Sequence, residues 1–201
     1  MAHFHELLLV LSPDATSEDR LVRSNDLSHT TIAWVPDVQR AIEVVDSFER
    51  LDLIELYGGF GPDTAAAILE RTGKGELPVG MVGTEYPTPP KKVAAIFEAP
   101  GADPKVDRWT TGGATMVGVP TGDAAAAVAA ELVAEGADRV EVCGGMPADA
   151  AAKVQAAVNV PVSRILYGFE SLPTVAAYRA RFEKTLEDHP ELLTQQAKVS
   201  K

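Results

Sequence analysis

Two glutamates stand at the same place in two versions of one phrase: Glu55 in LIELYGGF (residues 53–60) and Glu141 in RVEVCGGM (residues 139–146), an offset of 86 residues (141 − 55). Each lies among Leu, Ile and Val, and each is followed by two residues and then a Gly-Gly pair. A carboxyl group on an apolar strand resists ionisation unless an arginine or a backbone N–H compensates, and such a group suits general acid or base catalysis. The same pair could instead lock two halves of the molecule together without doing chemistry. Gly58, Gly59, Gly144 and Gly145 allow close approach of the backbone to a ligand, just ahead of helices whose first N–H groups could receive a phosphate or carboxylate. No GxGxxG or GxxxxGK[ST] pattern accompanies them, so no nucleotide signature is present.

Three arginines are candidate anion clamps. Arg20 and Arg108 occupy equivalent places in the two halves, whereas Arg164 lies in the last strand of the second half only, opposite Met81 in the first. An arginine on a parallel strand is costly to desolvate, so it should meet a carboxylate of the protein or of a ligand, and Glu141 is the expected internal partner of Arg164. Cys143, the sole cysteine, precedes the second Gly-Gly pair; it reads as a buried small residue or a ligand contact, and its counterpart is Tyr57. His3 and His5 share a strand face and His29 precedes the second strand, but no His/Cys cluster has metal-ligand spacing. No metal site and no cofactor are expected.

The elements that must position these residues also come twice. TIAWVP (31–36) returns as TMVGVP (115–120), Pro78-Val79 as Pro161-Val162, and Asp19-Arg20 as Asp107-Arg108. A duplication of this kind constrains architecture more tightly than a single motif. Each half carries four short apolar runs of strand length: 6–11, 31–35, 53–57 and 79–82, then 93–97, 115–119, 139–143 and 162–167. Helical patterns fall between them at 38–50 and 63–71, and at 124–135 and 148–158, with Asp37 and Asp123 as N-caps. Asp103-Pro104 and Thr16 to Asp19 read as starts of short helices linking the first two strands.

The fold class expected is therefore α/β, with two pseudo-symmetric repeats. Each repeat has a four-stranded, mainly parallel sheet with crossover helices, and an extra C-terminal helix follows. The first repeat spans 1–86, a proline linker 87–92, the second repeat 93–170, an amphipathic helix 171–188 and a polar tail 189–201. The linker YPTPPKK is too short for a parallel crossover, which argues against a continuous eight-stranded barrel. Val175, Tyr178, Phe182 and Leu186 recur at helical spacing in the added helix, which should cover an open face or form a homodimer contact.

Composition narrows the partners. With 18 Lys and Arg against 29 Asp and Glu the net charge is −11, which disfavours nucleic acid and anionic membranes. One cysteine excludes an internal disulfide, and the Leu7–Leu11 run is too short for a signal peptide or a span, so the chain reads as a soluble cytoplasmic protein.

The runs VAAIFEAPGADP, DRW, VGVP, GADRVEVCGGM and VPVSRI resemble the small proteins grouped as DUF6506, and the first half resembles the same family through IELYGGFGPD and LPVGMVG. That resemblance implies two fused copies and no particular activity. The function expected from the residues is that of a cofactor-independent enzyme acting on an anionic or carbonyl-containing metabolite. Isomerase, lyase or cyclase chemistry would suit a site at the strand ends or in the cleft between the repeats. A binding or assembly module, whose buried Glu and Arg pairs are structural, is the alternative.

Overall fold

The computed structural model describes residues 3–73, 75–82 and 90–201. Tyr86 and the first half of the proline linker, residues 87–89, lie outside these residues. The first repeat runs β1 (Phe4–Leu11), β2 (Arg20–Ser24), β3 (Ser28–Val35), α1 (Val38–Asp46), β4 (Leu53–Tyr57), α2 (Pro62–Thr72) and β5 (Val79–Met81). The second repeats the order with β6 (Val93–Glu98), β7 (Arg108–Thr111), β8 (Ala114–Val119), α3 (Ala125–Ala134), β9 (Arg139–Val142), α4 (Ala148–Ala157) and β10 (Val162–Arg164). Both sheets share one strand order, β5-β4-β1-β3-β2 and β10-β9-β6-β8-β7.

Each repeat thus has five strands rather than the expected four. The additional strand, β2 or β7, runs antiparallel to β3 or β8 in place of the expected short helix. Side chains with the spacing of helix caps instead close turns. Asp103 accepts from the Lys105 N–H at 2.9 Å, and Asn25 accepts from the N–H groups of Leu27 and Ser28 at 3.1 and 2.9 Å, which folds β2 back onto β3. Asp37 does cap α1, accepting from the Arg40 N–H at 2.8 Å, whereas Asp123 pairs with Lys153 and α3 begins after a short 3-10 turn.

Alternation along β1 explains the layers. Leu7 and Leu9 pack with Ala33, Val35, Ile54 and Leu56 under α1 and α2, while Leu8 and Val10 join a second core that includes Ala95, Phe97 and Met116 of the other repeat. Burial on both faces is why β1 reads LLLVL without a polar alternate. The two sheets lie face to face with helices on their outer sides, and the Trp34 indole donates across this seam to the Ala114 carbonyl at 3.3 Å.

The C-terminal segment binds the first repeat. β11 (Leu166–Tyr167) leaves the second repeat and pairs antiparallel with β5. The amphipathic α5 (Leu172–Asp188) sets Tyr178, Phe182 and Leu186 on Phe4, Leu27 and Leu192. Residues 189–201, expected as a frayed tail, instead form a 3-10 turn with Leu192 buried and then β12 (Lys198–Ser200), which pairs antiparallel with β2. The first sheet so reaches seven strands. Among the described residues, no helix is long and apolar enough to cross a membrane.

Candidate functional site

Glu55 and Glu141 are the centres of a reciprocal exchange. The N–H of Gly144, in the second repeat, donates to Glu55 Oε1 at 2.8 Å, and the N–H of Gly58, in the first, donates to Glu141 Oε2 at 2.7 Å. Each repeat's Gly-Gly turn thus holds the other repeat's carboxylate, as a pseudo-two-fold relation requires. Both carboxylates are shielded from bulk water, at 2% and 0% exposure.

Glu55 has two phenols as further partners. Tyr57 donates to Glu55 Oε2 at 2.5 Å and Tyr167 to Oε1 at 2.7 Å. Burial pushes the Glu55 carboxyl above its ordinary range, and the two phenols and the Gly144 N–H draw it back only in part. Two glycines admit the Tyr167 ring. A Cβ on Gly144 would stand 2.5 Å from Tyr167 Cε2 and 3.0 Å from Glu55 Oε1; one on Gly80, the β5 neighbour of Glu55, would stand 2.9 Å from Tyr167 Cε1.

Beside Glu55 opens a cavity of about 380 Å³ between the first sheet, the Gly144-Gly145 turn and α5. Its polar lining comes from Glu6, Glu55, Glu98, Tyr167, Tyr178 and Arg179, and Leu8, Phe97, Val175 and Phe182 supply apolar wall. Glu6 is held by the Thr30 hydroxyl at 2.6 Å and by the Tyr178 hydroxyl. Burial also raises the Glu98 carboxyl, partly opposed by Arg179. Cys143 lines the same cavity at 5% exposure; burial, and then the negative field of Glu55, push its thiol up to about 12, so it is no thiolate nucleophile at neutral pH.

The three arginines expected at the site are elsewhere. Arg20 lies over the Phe48 ring, 4.8 Å from its centroid, and Arg108 pairs with Glu131 and Glu135 around α3. The strand register explains this: Arg20 pairs with Ala33 and Arg108 with Val117, positions on the helix-facing side of each sheet. Register also sets Ser163, not Arg164, beside Glu141; Arg164 stands next to Val142, on the opposite face, and donates to the Met146 carbonyl at 3.4 Å. The cationic cleft expected from sequence therefore does not assemble.

A different arginine crosses between the repeats. Arg23 Nε meets Asp107 Oδ1 at 3.0 Å, with 1% and 7% side-chain exposure. The repeat makes Asp19 and Asp107 equivalent but gives no sign of the partner: Arg23 aligns in register with Thr111, a residue of another type. Gly59 lies in the other turn, and Gly145 is open to the cavity, with nothing within 4 Å of the point where a Cβ would stand. His5 and His29 have ring centroids 5.6 Å apart and His3 stands near His189, yet no group of three metal-ligating side chains occurs among the described residues.

Fold and site together define a tandem α/β protein whose halves exchange carboxylate-to-backbone hydrogen bonds across a shared core. The model of one family of unknown function, DUF6506, matches residues 4–88 and again 91–180, and the chain belongs to that family as two adjacent copies. No curated protein and no solved structure matches it.

Proposed function

We propose that the cavity beside Glu55 is the active site of a cofactor-independent enzyme that moves a proton on a small carbonyl-containing metabolite, with Glu55 as the general acid or base. The observation that carries this reading is one carboxyl group with a raised pKa, fixed by two phenols and a backbone N–H, at the wall of a cavity of about 380 Å³. A base of that kind sits nearer neutral pH than a solvated glutamate, and its rotamer is set before substrate arrives. Apolar walls exclude water, while the remaining guanidinium N–H groups of Arg179 offer donors to a carbonyl or carboxylate oxygen. With Glu6 and Glu98 also in the lining, a neutral or singly charged substrate fits better than a polyanion.

One observation favours a second reading. The exchange of Gly144–Glu55 and Gly58–Glu141 bonds is symmetric, as a purely structural lock would be. The two readings separate in D2O, with a panel of enolisable ketones, 2-oxo acids and esters followed by proton NMR. Enzyme action requires solvent deuterium to enter one of these compounds, with a loss of about 100-fold or more on Glu55→Gln but not on Val106→Thr at the exposed surface. No exchange with any member, together with equal destabilisation by Glu55→Gln and Glu141→Gln, would leave the lock as the function of both residues.

A further inference from the structure

The two Gly-Gly turns have diverged, and the first has acquired features that the Glu55 cavity does not use. Gly58 and Gly59 both adopt φ of +86°, a left-handed conformation absent from Gly144 and Gly145. In the second repeat the Met146 N–H closes its turn onto the Cys143 carbonyl at 3.2 Å. Its counterpart, the Phe60 N–H, makes no such bond, and neither it nor the N–H groups of Gly59 and Gly61 meet an acceptor among the described residues, although all three residues are buried. Buried donors without acceptors are costly and rare in proteins.

The adjacent helix repeats the pattern. α2 starts at Pro62 after Gly61, which supplies no side-chain cap. Two residues into the helix, Thr64 is fully buried, and its hydroxyl has no hydrogen-bond partner. The equivalent residue in the second repeat is Ala150, so nothing in the shared fold demands a hydroxyl here. Gly58 to Gly61 and Thr64 line a cavity of about 530 Å³ outside the carboxyl ends of β1 and β4. Lys91 lines it too and forms no salt bridge among the described residues; Asp14 is the acidic member of the lining.

We propose that this second cavity binds the oxyanion group, phosphate or carboxylate, of a small metabolite. The Thr64 hydroxyl and the turn amides act as its donors, and Lys91 supplies the counter-charge. Backbone N–H groups at a helix start, with the dipole behind them, favour a negative charge, and the hydroxyl adds a donor that an empty site would leave unsatisfied. Asp14, and Asp63 in the first turn of α2, temper the positive field. Recognition therefore rests on short hydrogen bonds more than on net potential, which suits a chain of net charge −11.

The test is a titration of the full chain with sodium phosphate and, separately, with sodium acetate, at constant ionic strength and pH, followed by 15N–1H NMR. Saturable shifts at the amides of Gly59, Phe60, Gly61 and Thr64 are expected with at least one anion; the phosphate and acetate arms distinguish the two ligand classes. Thr64→Ser should bind as the parent does, Thr64→Val should weaken binding about tenfold or more, and Lys91→Gln should weaken it several-fold. No saturable shift with either anion overturns the proposal. So does equal binding by Thr64→Val, or a Thr64→Ser variant that folds and fails to bind.

Discussion

At the scale of single residues, Glu55 shows how environment and not residue type sets chemistry. Its carboxyl group has partners for both oxygens and still holds its proton more tightly than a solvated glutamate, because burial outweighs the three donors. The folded state therefore binds this proton more tightly than the unfolded chain, whose glutamates titrate near 4.5. Stability from this residue is fully present below that value and falls as pH rises through the raised folded pKa. Urea midpoints measured from pH 4 to 8 should fall less steeply for Glu55→Gln than for the parent; parallel curves would show that the carboxyl is not perturbed. Glu98 acts with the same sign, so Glu98→Gln should remove a further part of the slope. The thiol of Cys143, held up to about 12, should react with iodoacetamide at pH 8 only after denaturation, and fast alkylation of the folded chain would contradict its burial.

At the scale of elements, the Gly-Gly turns and β11 form one device. β11 crosses to the first sheet so that Tyr167 reaches Glu55, and the phenol fits only because Gly144 and Gly80 lack a Cβ. Gly144→Ala must shift the Tyr167 ring or the turn, at an expected cost of about 1–3 kcal/mol. Gly145→Ala, with nothing near its added methyl, should stay within about 0.5 kcal/mol of the parent. Equal effects in thermal unfolding would mean that Tyr167 does not occupy the slot. The docking of α5 depends on Arg181, whose guanidinium meets Asp52 at 2.6 Å and lies 4.7 Å from the Phe4 ring centroid. Burial works to raise the Asp52 carboxyl, but the hydrogen bonds from Arg181 and the His5 N–H prevail and hold it below the usual range. That contribution is present above the unfolded carboxylate pKa and is lost as pH falls, the opposite sense to Glu55.

At the scale of the whole molecule, one continuous core joins the repeats, and Arg23–Asp107 is a buried ion pair that spans it. Removing one member leaves a buried charge without its partner. Asp107→Ala should therefore cost about 3–5 kcal/mol in urea unfolding, while the double replacement Arg23→Met with Asp107→Leu should recover most of that loss. The shared core predicts a single cooperative transition for both halves. Two separated transitions, each reporting one repeat, would show that the seam contributes little to stability.

The duplicated phrases determined the α/β class and the equivalence of Glu55 with Glu141, and apolar spacing determined the added amphipathic helix, because spacing and periodicity are local properties of a chain. The burial of both glutamates was legible for the same reason: each stands between apolar neighbours on a strand. The expected clamp of Arg20, Arg108 and Arg164 failed because the face a strand residue takes depends on register, and register is settled by pairing with distant strands. Tyr167 and Tyr178 carried no signal as partners of Glu55 and Glu6, since β11 and α5 approach the first repeat from more than a hundred residues away in the chain. Only the tertiary structure could bring one repeat's turn to the other repeat's carboxylate, since a hydrogen bond between them needs both sheets folded and packed face to face.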